Sequence, residues 1–120
     1  MEQPIGQYPL SGTVQSGADT VSAPTYIRYA RNRCYQAMCG TSAGAGTATV
    51  QFYGSAKDKP VSPSTHLGDW VPIGNALSLV PNGTNWVTDG FASTEAWPWV
   101  CAKITSQTGT NVQTRAWIAG

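Results

Sequence analysis

The sequence has 120 residues, a length that suits one domain with a single hydrophobic core. Hydrophobic residues make up 41% and charged residues only 11%, so Ser, Thr, Gln, Asn and Gly must cover most of the surface. With a net charge of +1, the chain has no strong overall electrostatic field that would attract nucleic acid. Its apolar stretches are too short to span a membrane.

The first 25 residues are rich in Gly, Ser, Thr, Gln and Pro and contain few large apolar groups. We expect residues 1–25 to form an extended arm with one short strand near 11–15, and residues 26–120 to form the folded domain. The opening residues, MEQP, have neither the basic nor the apolar region of a secretory signal. Synthesis and assembly in the cytoplasm are therefore expected.

Two segments in the middle of the chain are predicted to be strands joined by a flexible, glycine-rich loop. The first covers residues 33–39. The second covers residues 47–53 and places Ala48, Val50 and Phe52 on one face, the alternation that is typical of a half-buried strand. We expect the two segments to pair as a hairpin with a long loop.

Shorter elements follow along the chain. Residues 54–68 are charged and proline-containing and are predicted to form an exposed loop. Residues 69–73 are predicted to form an edge strand, because Pro72 has no N–H to donate to a neighbour. Brief strands are predicted at 77–79 and from Trp86 to the turn at Asp89-Gly90.

Two long strands, at 97–105 and 111–119, close the chain. Alternation predicts one face of Pro98, Val100, Ala102 and Ile104 on the first, and one face of Val112, Thr114, Ala116 and Ile118 on the second. The connector at 106–110 predicts that they pair as a hairpin. The whole pattern gives roughly seven or eight short strands at intervals of about ten residues, with no helical stripe. It predicts an all-β fold, either an antiparallel β-sandwich or a small barrel, and the order of the strands cannot be derived from their spacing.

Residues that carry catalysis or bind metals are sparse. His66 is the one histidine, with Ser62, Ser64 and Asp69 nearby, but the segment lacks the strained nucleophile turn that a Ser-His-Asp set requires. An odd number of cysteines without a Cys-x-x-Cys pair predicts free, buried thiols rather than zinc: Cys34, Cys39 and Cys101. We therefore expect no enzyme activity, metal or cofactor, and a small hydrolase that uses His66 is the remaining catalytic hypothesis.

Two sets of side chains are candidates for binding. Arg28, Arg31 and Arg33 alternate with tyrosines, a pattern that is able to stack bases and neutralise phosphates. On a nearly neutral domain they indicate instead a contact with a neighbouring subunit or with acids of the same chain. Trp97 and Trp99, predicted on one strand face, either fill the core or anchor an interface, and with Trp86 they are the candidate aromatic platform for a sugar.

The segment from residue 46 onward, about two thirds of the chain, resembles the small virion proteins of tailed bacteriophages. The resemblance is carried by three stretches and by the turn at 109–110 into the last strand: GTATVQFYGS at 46–55, DGFAS at 89–93 and WPWVCAKIT at 97–105. It implies a jelly-roll-like sandwich and a role as a capsid decoration, or cement, protein that binds between capsomers as a dimer or trimer.

The leading hypothesis is therefore a homo-oligomeric structural protein on the capsid surface of a virion. Its partners would be the major capsid protein and further copies of itself, with no membrane and no nucleic acid. The candidate contacts with capsid or sister subunits are Tyr8, Leu10, Arg28, Arg31 and Arg33. The alternative is a carbohydrate-binding sandwich on a phage tail or fibre, with Trp86, Trp97 and Trp99 as its platform.

Overall fold

The computed structural model describes residues 7–14, 20–21, 24–27, 32–42, 45–81, 85–109 and 112–119. Strands dominate these residues, which confirms the predicted all-β class, and one short 3-10 turn lies at Leu67–Asp69. The strands are β1 Gln7–Val14, β2 Thr20–Val21, β3 Thr25–Tyr26, β4 Arg33–Thr41, β5 Gly46–Ser55, β6 Val71–Leu79, β7 Val87–Ser93, β8 Trp99–Gly109 and β9 Val112–Ala119.

The described strands form two antiparallel sheets that pack face to face as a sandwich. The first sheet has the order β1-β9-β4-β7. The second has the order β2-β8-β5-β6, and β3 also pairs with β8, so β2 and β3 share one position at its edge. Successive strands cross between the sheets except at β2–β3 and β5–β6, which lie in the second sheet, and the two strand orders are jelly-roll-like.

Both predicted hairpins are wrong, although the strands that compose them are present. β4 pairs with β9 and β7, whereas β5 pairs with β8 and β6 in the other sheet. In the same way β8 and β9 lie in facing sheets. At the end of β8, Gly109 has a φ of 106°, and a Cβ there would lie 2.6 Å from the Ala45 carbonyl oxygen. The chain therefore needs glycine where it leaves the second sheet for the first.

The predicted inward faces are confirmed, because each long strand buries alternate residues. Ala48, Val50 and Phe52 of β5 are all 1% exposed or less. On β8 and β9 the predicted inward positions within the strands are likewise buried: Val100, Ala102, Ile104, Val112, Thr114, Ala116 and Ile118. These side chains meet between the sheets in one core. Cys101, on the other face of β8, is buried as well.

Three aromatic rings pack against one another within this core. The rings of Tyr35 and Phe91, on β4 and β7, stack with their centroids 5.0 Å apart. Phe52, on β5 of the other sheet, meets Tyr35 edge-on at 5.2 Å. Offset and edge-to-face contacts at these separations are favourable beyond the area that they bury.

Two of the shorter strands differ from the predictions in their bounds. Residues 71–73 and 77–79, expected in two separate strands, belong to one strand, β6, which lies at the edge of its sheet as Pro72 predicted. Asp69 and Trp70, expected in the first of these strands, precede β6. β7 runs through Asp89 and Gly90, which were expected to end it. An Asp-Gly pair favours a turn, but here the full ladder to β4 keeps it extended.

The described parts of segment 1–25 are extended and belong to the two sheets. β1 pairs with β9 and contains residues 11–14 of the short strand expected near 11–15, while β2 pairs with β8. Deleting the segment would therefore remove a strand from each sheet. The division of the chain at residue 25 stays a prediction.

Shortening Phe52 to Ala should destabilise the fold strongly, since the ring is fully buried where the two sheets meet. We expect a loss of about 3–5 kcal/mol in the free energy of unfolding, measured by urea titration. Val80→Ala is the control, because Val80 is 63% exposed and its change should stay within about 0.5 kcal/mol. Equal unfolding midpoints for the two variants would contradict the arrangement of the core.

Candidate functional site

Arg33, a predicted interface residue, is buried in the sandwich and 1% exposed. Its guanidinium donates one hydrogen bond to the Trp97 carbonyl oxygen and another, of 3.1 Å, to the Ile27 carbonyl oxygen. It thus ties β4 to the ends of two segments, at Ile27 and Trp97, which lie beside the hydrogen bond from the Ile27 N–H to the Pro98 carbonyl oxygen. The alternation of β4 accounts for the burial, because Arg33 lies on the same inward face as Tyr35 and Ala37.

The buried guanidinium lies beside the hydroxyl of Tyr35. Burial raises the pKa of Tyr35, and the nearby positive charge of Arg33 opposes that rise. The hydroxyl itself is buried and forms no well-shaped hydrogen bond with the described residues. Arg33 therefore stabilises the core from inside, and its guanidinium is directed at two backbone carbonyl oxygens of its own chain.

The other predicted interface residues are only partly within the described structure. The backbone of Tyr8 lies opposite Ile118 in the first sheet, and Leu10 lies at a register shift between Pro9 and Ser11. The side chains of Tyr8 and Leu10 lie outside what the structure describes, as do Arg28 and Arg31 entirely. Tyr8 and Leu10 thus belong to β1, at the edge of the first sheet.

Trp97 and Trp99 do not share a strand face, contrary to expectation. Trp97 precedes β8, packs against the core and covers Gly54, where a Cβ would collide with its ring. Its indole N–H donates to the Glu95 carboxylate at 2.8 Å. Trp99 begins β8 and meets the ring of Tyr26 instead, with centroids 5.1 Å apart and planes tilted by 57°.

Trp86 lies on the outer face of the first sheet, away from both other indoles of the proposed platform. Its ring covers Gly40, where a Cβ would lie 2.5 Å from the ring. The guanidinium carbon of Arg115, on β9, lies 4.9 Å from the ring centroid, a cation–π distance. Trp86 remains 40% exposed. We call Trp86, Gly40, Arg115 and Met38, which is paired with Arg115 in the register, the Trp86 patch.

The three tryptophans therefore do not form one row of stacking rings. Trp97 is turned toward the core, Trp99 lies with Tyr26 beside the second sheet, and Trp86 covers the first sheet. A flat sugar-binding platform needs rings that are side by side and exposed on the same surface. The geometry leaves the Trp86 patch and the Tyr26–Trp99 pair as two separate aromatic surfaces.

The loop around His66 does not assemble a Ser-His-Asp set in the described residues. The imidazole Nδ1 lies 3.0 Å from the Thr65 hydroxyl, and the ring is exposed. Asp69 instead pairs with Lys57 at 3.0 Å and accepts the Val61 N–H. The Lys57 ammonium and this N–H hold the pKa of Asp69 below its usual range. Both carboxylate oxygens thus brace the loop rather than orient a base.

The cysteines are free and unequally accessible. Cys39 and Cys101 are buried, and Cys34 is exposed. Burial raises the pKa of Cys39, against the effect of a hydrogen bond with Thr114, and raises that of Cys101 to about 12. Among the described residues, no three His, Cys, Asp or Glu side chains are grouped to hold a metal ion.

The comparisons with known proteins give no match. No protein-family model, no curated protein and no solved structure matches the chain. The described residues contain no helix with the length and hydrophobicity needed to cross a bilayer.

Replacing Arg33 by Met should destabilise the protein even though the new side chain is apolar. The buried carbonyl oxygen of Ile27 and the partly buried one of Trp97 lose their donor, and we expect a loss of about 1–3 kcal/mol in the free energy of unfolding. Urea titration measures it. Lys57→Met is the matched control, since an exposed ion pair contributes only about 0–1 kcal/mol. An Arg33→Met protein as stable as this control would show that the buried contacts are unimportant.

Native protein should expose one reactive thiol of its three. We expect the thiol reagent DTNB to modify Cys34 quickly and the other two cysteines only after unfolding in guanidinium, because thiolates form and react at accessible sites. Cys34→Ser should abolish the rapid phase and leave the two slow thiols. Rapid reaction of three thiols in the native protein would show that β4 and β8 are not packed as described.

Proposed function

We propose that this chain is a structural virion protein of a tailed bacteriophage, which decorates the capsid and stabilises it by binding between major capsid protein subunits. The observation that carries the proposal is the strand order β1-β9-β4-β7 facing β2/β3-β8-β5-β6. This jelly roll recurs in viral capsid domains. Because one fold serves many functions, the argument also needs a surface that suits a protein partner.

The Trp86 patch supplies such a surface. Trp and Arg are the residue types that most often anchor protein interfaces, and here an exposed indole and a guanidinium lie together on a sheet face. Their positions are well fixed, because Trp86 rests on Gly40 of β4 and Arg115 lies on the neighbouring strand β9. A preorganised anchor loses little conformational entropy when a partner binds.

The composition of the surrounding face agrees with this role. The outward residues of β4 and β9 next to the patch carry no charge: Gln36 and Gln113 are polar, and Trp117 is aromatic. Such a face can be covered by a neighbour without burying unpaired charges. β1 borders the same sheet, so Tyr8 and Leu10 would extend the contact along its edge, with Arg28 and Arg31 as further candidates.

A carbohydrate-binding module on a tail or fibre is the second candidate. One observation favours it: Tyr26 is 49% exposed and lies against Trp99, and pairs of exposed aromatic rings bind sugars by stacking. Jelly rolls also occur in lectins. The tilt of 57° between the rings gives the pair no common plane, so we place this function second.

Co-sedimentation with phage heads tests the proposed role. The heads are those of the phage that encodes the chain, stripped of accessory proteins. We expect the chain to saturate at a fixed ratio to the major capsid protein and to raise the temperature at which heads rupture. Arg115→Glu should weaken binding roughly tenfold or more, about 1.4 kcal/mol, because it reverses the charge of the patch.

Lys59→Glu is the control for this experiment, since it makes the same change in charge in an exposed loop. It should bind heads as the unmodified chain does. Failure to bind heads, with the protein recovered in tail fractions and retained on a glycan array, would overturn the capsid role in favour of the second candidate.

A further inference from the structure

The sandwich has four sheet edges, and three of them carry features that prevent pairing with another strand. β1 contains Pro9 and two shifts in its register with β9. β2 and β3 are only two residues each. β6 contains Pro72, a register shift against β5, and Gly74 with a φ of 66°. Prolines, bulges and short strands are the usual protection of a sheet edge.

β7 is the edge without these features. It pairs with β4 through seven consecutive residues in unbroken register, from Val87 opposite Cys39 to Ser93 opposite Arg33. It contains no proline and no lysine. Among the described strands, none pairs with the other side of β7, so its edge presents a row of N–H and C=O groups that is a template for another strand.

The hydrogen bond of Gly90 shows which backbone groups of β7 face outward. Its N–H donates to the Asp89 carboxylate at 2.8 Å and therefore points away from β4. Backbone groups of an antiparallel strand alternate between its two sides. The N–H and C=O groups of Thr88 and Ala92 thus face the free edge as well, and Thr88, Gly90 and Ala92 are all exposed.

We propose that a second copy of this chain pairs with β7 through its own β7, antiparallel about a two-fold axis at Gly90. Thr88 then lies opposite Ala92 of the second copy, and each outward-facing residue exchanges both backbone hydrogen bonds with its counterpart. The two first sheets become one continuous sheet. An axis through an identical strand gives a closed, self-complementary contact, as a dimer requires.

The charged side chains in and next to β7 favour a two-fold axis at Gly90 over other positions of the axis. An axis at Asp89 would place two carboxylates opposite each other, and an axis at Ala92 would place Asp89 opposite Glu95. Like charges in opposite positions are destabilising. The axis at Gly90 places Asp89 opposite Phe91 and pairs all seven residues of the strand.

Asp89 has a second part in this contact. In the single chain its carboxylate accepts the hydrogen bond of the Gly90 N–H, at the centre of the free edge. It must release this N–H before the second copy can bond there. Asp89 thus weakens the pairing and keeps it reversible. The inference adds a dimer contact to the proposed virion role, and its test uses no capsid, so either proposal can fail alone.

Sedimentation velocity over a range of protein concentrations tests the β7 contact. We expect a concentration-dependent dimer. Ala92→Pro removes an outward N–H that lies on the side of β7 away from β4, its partner strand among the described residues. It should weaken the dimer roughly tenfold or more, since two hydrogen bonds are lost per dimer. Asp89→Ala should tighten the dimer, because it frees the Gly90 N–H.

Two further variants test whether the dimer forms through the edge of the first sheet or through its face. Ala92→Lys places a charge at the edge and should weaken the dimer, whereas Gln113→Lys places it on β9, two strands away, and should not. Circular dichroism verifies that each variant is folded. A chain that stays monomeric at millimolar concentration, or a dimer that neither Ala92 variant weakens, overturns the proposal.

Discussion

The rings of Tyr35, Phe52 and Phe91 join the two sheets, and the positions of both β6 and β7 depend on them. Tyr35 stacks on Phe91 within the first sheet, and Phe52 reaches both from the second. β6 then lies close enough to Phe91 that a Cβ on Gly74 would come within 2.8 Å of the ring. The cluster thus packs against the inward face of β7 and fixes β6 beside it.

Local periodicity was enough to predict the buried side chains of β5, β8 and β9, because alternation is a property of each strand alone. It could not predict pairing. The strands on either side of the loop at 42–45 look like a hairpin in sequence, yet β4 and β5 have partners that are distant along the chain. A jelly roll and a meander place the same residues inward, and they differ only in which strands are neighbours.

The candidate site was predicted less well than the fold, for reasons visible at single residues. Arg33 was assigned to the surface from its charge, although it alternates in step with Tyr35 and Ala37, the signal that would have placed it inside. Trp97 and Trp99 were assigned to one face, but β8 begins after Pro98. Gly40 and Gly54, glycines inside strands, marked the places where Trp86 and Trp97 approach the backbone.

The pairing of β1 with β9 determines when the first sheet can form during synthesis in the cell. Roughly a hundred residues separate the two strands, and translation adds about 5–20 residues per second, so β1 waits on the order of 5–20 s for its partner. During synthesis β4 waits for β9 as well. The first sheet therefore closes only after its last strand has left the ribosome, and nonlocal pairings of this kind fold slowly.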